Sequence, residues 1–207
     1  MNKARKTTKP QLLTEELLVR MNIGRRYWRA EMSDLAESEA KTLFRKYVTT
    51  LSEQYESGWG IFLYGANGVG KTHASCALLK EVTKRGYSSY CILADALKAA
   101  YIDGSRFDAD NSIIQRVEKV DFLLLEDLGK EYSGNGSGFA ELCFENMLRK
   151  RCREMLPTII TTNLTRQAFR ERYKDSSASL AMECMIAVEM QGTDQRAMIS
   201  RNKLESL

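Results

Sequence analysis

The sequence has little of what would mark a secreted, metal-binding or membrane-embedded protein. Its 207 residues include two prolines, one histidine and five cysteines, and no two cysteines form a CxxC pair. A zinc site needs a cluster of ligands, so none is expected, and the cysteines are expected to be reduced and mostly buried. No apolar run approaches the ~18 residues of a membrane span, and no signal-peptide core follows the basic N-terminus. We therefore expect a cytoplasmic protein with no membrane contact.

Length and composition indicate one compact folded domain. Hydrophobic residues make up 43% of the chain and charged residues 28%, a balance that supports a buried core and argues against disorder. Lysine and arginine outnumber the acids by 31 to 27, which gives a net charge of +4. This mild basic excess permits contact with nucleic acid without demonstrating it.

Apolar runs and amphipathic segments alternate along most of the chain. A helix is predicted from Ser33, as its N-cap, to a stop at Gly58. Beyond it, short strands alternate with helices, which predicts parallel pairing with helices on both faces of the sheet. The predicted strands are 61–64, 87–92, 121–127, 158–163 and 185–190; the helices are 71–85, 94–101, 113–120, 139–153 and 165–173, with a polar loop at 102–112.

A glycine-rich stretch between the first strand and its helix is typical of a phosphate-binding loop. It fits GxxxxGK[ST], in which glycines let backbone N–H groups surround an anion and the following helix adds its positive end. Lys71 is expected to reach the β- and γ-phosphates, and Thr72 to hold Mg²⁺. ATP and Mg²⁺ are the predicted ligands, and the predicted binding residues are Gly65, Ala66, Asn67, Gly68, Val69, Gly70, Lys71 and Thr72.

Two adjacent acids, Glu126 and Asp127, end the strand predicted at 121–127. Ligands of open α/β sheets bind at the carboxyl edge, where the phosphate loop is also expected. One carboxylate there can hold Mg²⁺, and the next can orient water against the γ-phosphate. By position, Glu126 is predicted as the metal-side acid and Asp127 as the water-side acid.

Two further residues are candidates for the same site. Asn163 ends the strand at 158–163, where an amide can hold the attacking water or sense the γ-phosphate; the alternative is that it caps the following helix. Arg196 lies near the end of the chain, and a cation there could fold back onto the phosphates.

The segments on either side of the strand at 158–163 are rich in basic residues. A solvated helix face, a subunit interface and a nucleic-acid track all remain open as interpretations. The residues are Arg149, Lys150, Arg151, Arg153, Arg166, Arg170, Arg172 and Lys174.

The ordered segments GANGVGKTHA, VDFLLLEDLGKE, LPTIITTNLT and GTDQR resemble those of the DnaC/DnaI-type helicase loaders and the IstB-like transposition ATPases, one branch of the AAA+ P-loop ATPases. The resemblance covers about residues 23–196. It implies an α/β three-layer sandwich with a central, mostly parallel sheet, a short N-terminal helical extension and no C-terminal lid domain. It also implies an ATPase in which Lys71 and Thr72 form Walker A, Glu126 and Asp127 form Walker B, Asn163 is sensor 1 and Arg196 is sensor 2.

The resemblance divides the chain into a basic N-terminal arm or partner-binding segment, 1–22, and an AAA+ ATPase domain, 23–207. The segment NIGRRYW resembles the family's lead-in to the ATPase core, which lies beside the adenine. Tyr27 and Trp28 are candidates for that contact with the nucleotide. Hydrophobic anchoring of the segment is the alternative.

The chain departs from the family pattern at a position that matters for hydrolysis. The family's Ser-Arg-Leu motif, whose arginine reaches the neighbouring subunit's ATP, has Ser179 in place of the arginine. Asp127 is also shorter than the glutamate common at its position. Hydrolysis is therefore expected to be weak, unless Arg170, Arg172 or another protein supplies the missing cation.

The resemblance implies a replicative helicase loader for DNA replication, with a phage or mobile-element origin left open. Its implied partners are a hexameric DnaB-like helicase, single-stranded DNA and further copies of itself. A transposition helper ATPase shares the same motifs, and a nucleotide-dependent switch with little hydrolysis is a third hypothesis, favoured by Ser179. A small-molecule kinase would need an arginine-rich lid, whereas the loop at 102–112 has one arginine, Arg106.

Overall fold

The computed structural model describes residues 9–104, 112–130 and 137–195. Within them, five parallel strands form one sheet in the order β2–β3–β4–β1–β5. Every predicted strand is confirmed, with ends shifted by at most two residues. The strands are β1 (Gly60–Tyr64), β2 (Ser89–Leu93), β3 (Phe122–Leu128), β4 (Thr158–Thr162) and β5 (Met185–Glu189).

Helices cover both faces of the sheet, which confirms the predicted three-layer α/β sandwich. The first four helices and two 3₁₀ turns (Arg25–Tyr27 and Met32–Asp34) precede β2, and the last four follow it. The helices are α1 (Glu15–Arg20), α2 (Glu39–Thr49), α3 (Leu51–Ser57), α4 (Lys71–Lys84), α5 (Ala94–Gly104), α6 (Ser112–Lys119), α7 (Ser137–Arg153) and α8 (Arg166–Cys184). The predicted absence of a lid concerns the chain beyond residue 195, outside the described residues.

Side chains of each strand alternate between two hydrophobic cores. In the first core, Leu63 and Leu124 face α1 to α4; in the second core, Phe62 and Leu125 face α5 to α8. All four are fully buried. In the second core the rings of Phe62 and Phe169 lie 4.7 Å apart, which joins β1 to α8. Strands with both faces buried read as continuous apolar runs, so short runs sufficed to predict them.

Two helix predictions were wrong in their bounds. The single helix predicted from Ser33 to Gly58 is two helices, α2 and α3, divided at Thr50. The first begins at Glu39, because Ser38 is the cap: its hydroxyl accepts from the backbone N–H of Lys41. Ser33 lies in a 3₁₀ turn. At the other end of the chain, α8 runs on to Cys184, well beyond the predicted 165–173.

One residue of the basic segments is buried, which none of the three interpretations allowed for. Arg151 is completely inaccessible to solvent. It follows Met147 and Leu148 at helical spacing, so it lies on the buried face of α7. Burial lowers the pKa of its guanidinium to about 9. Its N–H groups donate five hydrogen bonds, to the Thr158 hydroxyl and to the carbonyls of Val117, Val120, Asp121 and Pro157.

The N-terminal segment packs on the first core. Met21 is buried there, and its carbonyl accepts from the backbone N–H of Cys91 on β2. The buried Lys80 of α4 donates to the carbonyls of Trp28 and Ala30 at 2.6 Å. Within the described parts of the chain, no helix has the length and apolarity that crossing a membrane requires.

Candidate nucleotide-binding site

A cleft of about 1120 Å³ opens at the carboxyl edge of the sheet. It brings together most of the residues predicted from separate motifs. Gly65, Ala66 and Asn67 belong to the same loop but lie just outside its lining. The predicted residues that line it are Tyr27, Gly68, Val69, Gly70, Lys71, Thr72, Glu126, Asp127 and Asn163.

The phosphate loop joins β1 to α4, and its backbone depends on glycine. Gly68 has a φ of 78°, and a Cβ there would overlap the carboxylate of Asp194. The buried ammonium of Lys71 lies back across the loop, where it donates to the carbonyls of Gly65 (2.8 Å) and Ala66 (2.7 Å). A cation and the first turn of a helix therefore face the same small volume, which suits a phosphate group.

The segment after β5 packs on this loop, a contact that the sequence analysis missed. The backbone N–H of Met190 donates to the Tyr64 carbonyl, and that of Gln195 donates to the Gly68 carbonyl at 3.1 Å. Arg196, the predicted sensor 2, lies outside the described residues, but it directly follows this contact. In the sequence only the GTDQR motif indicates this contact, and no role is predicted for its aspartate or its glutamine.

Glu126, the predicted metal-side acid, is buried. It lies on the same face of β3 as Leu124, above the thiols of α4 and β2, with Cys76 Sγ 4.0 Å from its Oε1. Burial first, and then the charge of Asp127, raise the pKa of the Glu126 carboxyl to about 7; hydrogen bonds with Cys91 and then with Thr72 oppose this shift. A hydroxyl and a buried carboxylate are thus paired where the motif predicts Mg²⁺.

Asp127 lies in a bulge that turns it out of the strand. Its φ is 57°, and the register of β3 against β4 shifts between Leu125 and Leu128. The Thr161 hydroxyl accepts from the backbone N–H of Asp127 at 3.0 Å, in place of a ladder bond. The half-exposed carboxylate points into the cleft and pairs with Lys130, whose Nζ lies 2.9 Å from its Oδ1.

Asn163 follows β4 and is partly buried in the lining of the cleft. The alternative that it caps the next helix is wrong. Thr165 is the N-cap of α8, and its hydroxyl accepts from the backbone N–H of Ala168 at 3.1 Å. The amide of Asn163 is therefore not used as the cap.

Tyr27 and Trp28 take different positions in the lead-in segment. Trp28 anchors it, because its indole N–H donates to the Ile23 carbonyl and its ring packs against the first core. Tyr27 lines the cleft at the end formed by Thr72 and Glu126. Burial raises the pKa of its phenol. Contact of Tyr27 with adenine stays a prediction.

The positions considered for an arginine finger differ in exposure. Ser179 is exposed on α8, and so is Arg170. Arg172 points inward, where its guanidinium donates to the Gly129 carbonyl at 2.8 Å, next to the Walker B acids. Arg172 therefore holds a turn of its own chain. Among the described residues, no set of three or more histidine, cysteine or acidic side chains is arranged to hold a metal by itself.

The chain is similar to a family of ATP-binding proteins and to helicase loaders. The sequence profile of the IstB-like ATP binding proteins matches residues 14–189. The ATP-binding protein of insertion sequence IS1162 from Pseudomonas fluorescens is 32% identical over 110 residues, which are 50% of this chain and 46% of that protein. The replicative helicase loader DnaI of Bacillus subtilis (strain 168) is 22% identical over 169 residues, 80% of this chain and 52% of DnaI.

The chain therefore spans about half the length of the curated relatives that it matches. Among solved structures, that of the DnaC helicase loader superposes with a TM-score of 0.72 at 22% identity. The superposition covers 81% of this chain and 100% of the chain in that structure. It shows that the two proteins share the AAA+ fold.

Proposed function

The chain belongs to the family of IstB-like ATP binding proteins, and from this premise we propose that it is an AAA+ ATPase that loads a replicative helicase onto single-stranded DNA. One observation carries the proposal: Lys71, Thr72, Glu126, Asp127 and Asn163, which come from separate motifs, line one cleft. The similarity to DnaI, a helicase loader, supports the assignment of the partner.

In this proposal the phosphate end of the cleft binds the nucleotide. Lys71 exchanges the carbonyls of Gly65 and Ala66 for phosphate oxygens. Thr72 and Glu126 are suited to hold Mg²⁺, since both offer the oxygen ligands that this ion prefers and a bound cation would favour the charged form of the Glu126 carboxyl. The ion would neutralise charge on the phosphates.

The acid that is turned out of β3 and the amide beyond β4 act on the γ-phosphate side. Asp127 orients the attacking water and accepts its proton, and Asn163 holds the water or senses the γ-phosphate. Arg196 reaches the phosphates as sensor 2; the contact of Gln195 with Gly68 supports this role. Because Ser179 carries no charge, we expect weak hydrolysis.

Two other functions have specific support. A transposition helper ATPase is favoured by the higher identity to the IS1162 protein, 32% against 22% for DnaI. A nucleotide-dependent switch with little hydrolysis is favoured by the uncharged Ser179. The loader and the helper both act on DNA. We propose that the protein assembles there as a homo-oligomer, in the cytoplasm, with residues 1–22 as the partner-binding arm and 23–207 as the ATPase domain.

The partner decides between these functions. We would capture partners of the tagged full chain from its host's lysate with ATP and Mg²⁺, and identify them by mass spectrometry. The Lys71→Ala variant is the matched control. A hexameric helicase retained by the wild type alone is the expected result. A transposase in its place would establish the helper function, and DNA without either protein would contradict both.

A further inference from the structure

The cleft contains a cation that no motif predicted. Lys130 lies three residues after Asp127, and its ammonium lies 2.9 Å from Asp127 Oδ1. Its side chain lines the same cleft as Lys71, Glu126 and Asn163. The ion pair is open to solvent, with 43% of the Lys130 side chain and 36% of the Asp127 side chain exposed.

The backbone that carries Lys130 is held firmly. The N–H of Lys130 donates to the Asp127 carbonyl at 3.1 Å, which closes a tight turn. The turn needs a φ of 57° at Asp127 and of 96° at Gly129, where a Cβ would press against the Leu164 side chain. Arg172 fixes the turn further through the Gly129 carbonyl. The lysine therefore has a fixed base and a flexible four-carbon stem.

The other cations of the described lining are less suited to the side of the γ-phosphate that faces the attacking water. Lys71 is buried in the phosphate loop, and Lys41 donates to the carbonyls of Ser33 and Leu35 and pairs with Glu37. Arg26 is exposed on the 3₁₀ turn beside Tyr27, and no described contact joins it to the water-side acid. Lys130 alone in this lining pairs with that acid.

We propose that Lys130 is the cation that this chain supplies in cis to the γ-phosphate, in the role that an arginine of a neighbouring subunit would otherwise fill. An exposed ion pair is weak, so a phosphate of higher charge at the edge of the cleft would draw the ammonium away from Asp127. The same movement frees the Asp127 carboxylate to orient water. Lys130 forms and breaks no covalent bond: it donates N–H groups to non-bridging oxygens while water attacks the phosphorus and ADP leaves.

This inference rests on the proposed ATPase function and deepens it. An arginine from a neighbour would make hydrolysis depend on assembly, whereas a lysine in cis would let a single protomer hydrolyse ATP. Turnover per protomer, measured without DNA or partner, should therefore stay constant as protein concentration rises. A rise in turnover per protomer with concentration would contradict the proposal, because it would show that another copy completes the site.

The decisive test measures binding as well as turnover in the full chain. Affinities for ADP and for ADP with aluminium fluoride, which mimics the transferring phosphoryl group, are measured with Mg²⁺ by calorimetry. For Lys130→Met we expect a loss of ~10–100-fold in affinity for the fluoride complex, an unchanged affinity for ADP and a fall in turnover. Lys130→Arg should retain both affinities.

Two control variants make the result specific. Lys84 pairs with Glu81 three residues earlier, as Lys130 does with Asp127, but lies outside the cleft; Lys84→Met should change nothing. If Arg26→Met loses the fluoride complex and Lys130→Met does not, the cation is Arg26 and the proposal fails. Higher turnover in Lys130→Met would also overturn it, because Lys130 would then restrain Asp127. If the wild type binds no nucleotide, the proposed function itself fails.

Discussion

Charged side chains lie at both ends of the central sheet, but their burial and their hydrogen-bond partners differ between the two ends. At the amino end, Arg151 is fully buried and donates all of its five N–H groups. Beside it, Asp121 accepts from the Tyr55 hydroxyl and from the backbone and hydroxyl of Ser88. At the carboxyl end, Asp127 is half-exposed in a left-handed conformation and forms a solvent-exposed ion pair with Lys130.

The comparison separates polar groups that stabilise the fold from groups available to a ligand. A buried charge is tolerated when every donor has a partner, and a network satisfied in this way has no unused donor with which to bind a substrate. The groups around the cleft have weak or provisional partners, such as the loop carbonyls that accept from Lys71. Substitutions at the amino end should therefore change stability, and substitutions at the carboxyl end should change ligand binding and turnover.

The largest expected effect is on stability, at Arg151. Arg151→Met keeps much of the side-chain volume but leaves the Thr158 hydroxyl and four carbonyls without their donor, so we expect the free energy of unfolding to fall by about 3–5 kcal/mol. Denaturant unfolding measures this. Lys150→Met, next to it on the exposed face of α7, is the matched control and should cost little. A loss below about 1 kcal/mol at Arg151 would show that the network is not needed.

At the other end of the sheet, Lys71→Ala should abolish detectable nucleotide binding. It removes the charge that faces the phosphates, and the loss of two charge-assisted hydrogen bonds corresponds to at least about 100-fold in affinity. The thermal midpoint of the ligand-free protein should change far less than that of Arg151→Met. Calorimetric titration with ATP checks the first statement. Retained affinity would refute the assignment of the phosphate loop.

Asp127→Asn should spare nucleotide binding and reduce turnover by about 100-fold, because an amide cannot accept the proton of the attacking water. Asparagine tolerates a positive φ at least as well as aspartate, so the bulge should survive the change. Steady-state hydrolysis, compared with the affinity for ADP, separates the two effects. Unchanged turnover would mean that another group orients the water.

The sequence predicted the strands and the phosphate loop well, because short apolar runs and fixed glycines are local signals. It was less able to place helix ends. The extension of α8 contains three small residues that are almost fully buried, Ser177, Ala178 and Ala181, and the two alanines pack in the second core. The weak helix preference of the serine is outweighed by tertiary packing, which a local pattern does not contain.

The burial of Arg151 did have a local signal, since Met147 and Leu148 lie on the same face of α7. Its charge masked that signal, because a lone arginine in a basic run usually faces water. Lys130 had no signal of its own. Its position depends on the turn at Gly129 and on the bulge at Asp127, and both follow from pairing with β4 rather than from nearby residues.

The smallest predicted effect comes from the same substitution, threonine to valine, made near each end of β4. It compares the two ends of the sheet most directly. On β4, the Thr158 hydroxyl accepts from Arg151 Nε at 2.9 Å, and the Thr161 hydroxyl accepts from the Asp127 backbone N–H at 3.0 Å. Both residues are buried, and valine matches threonine in shape. Thr158→Val and Thr161→Val should therefore each lower the free energy of unfolding by about 1–2 kcal/mol.

The two variants should differ in turnover. Thr161→Val frees the backbone that aims Asp127, so we expect turnover to fall by ~5–10-fold, the equivalent of about 1 kcal/mol in the activation barrier. Thr158→Val leaves that backbone intact and should hydrolyse ATP at the wild-type rate below its unfolding temperature. Equal loss of turnover in both variants would mean that the sheet transmits any disturbance to the cleft. The inference that the amino end stabilises the fold and the carboxyl end serves the ligand would then be wrong.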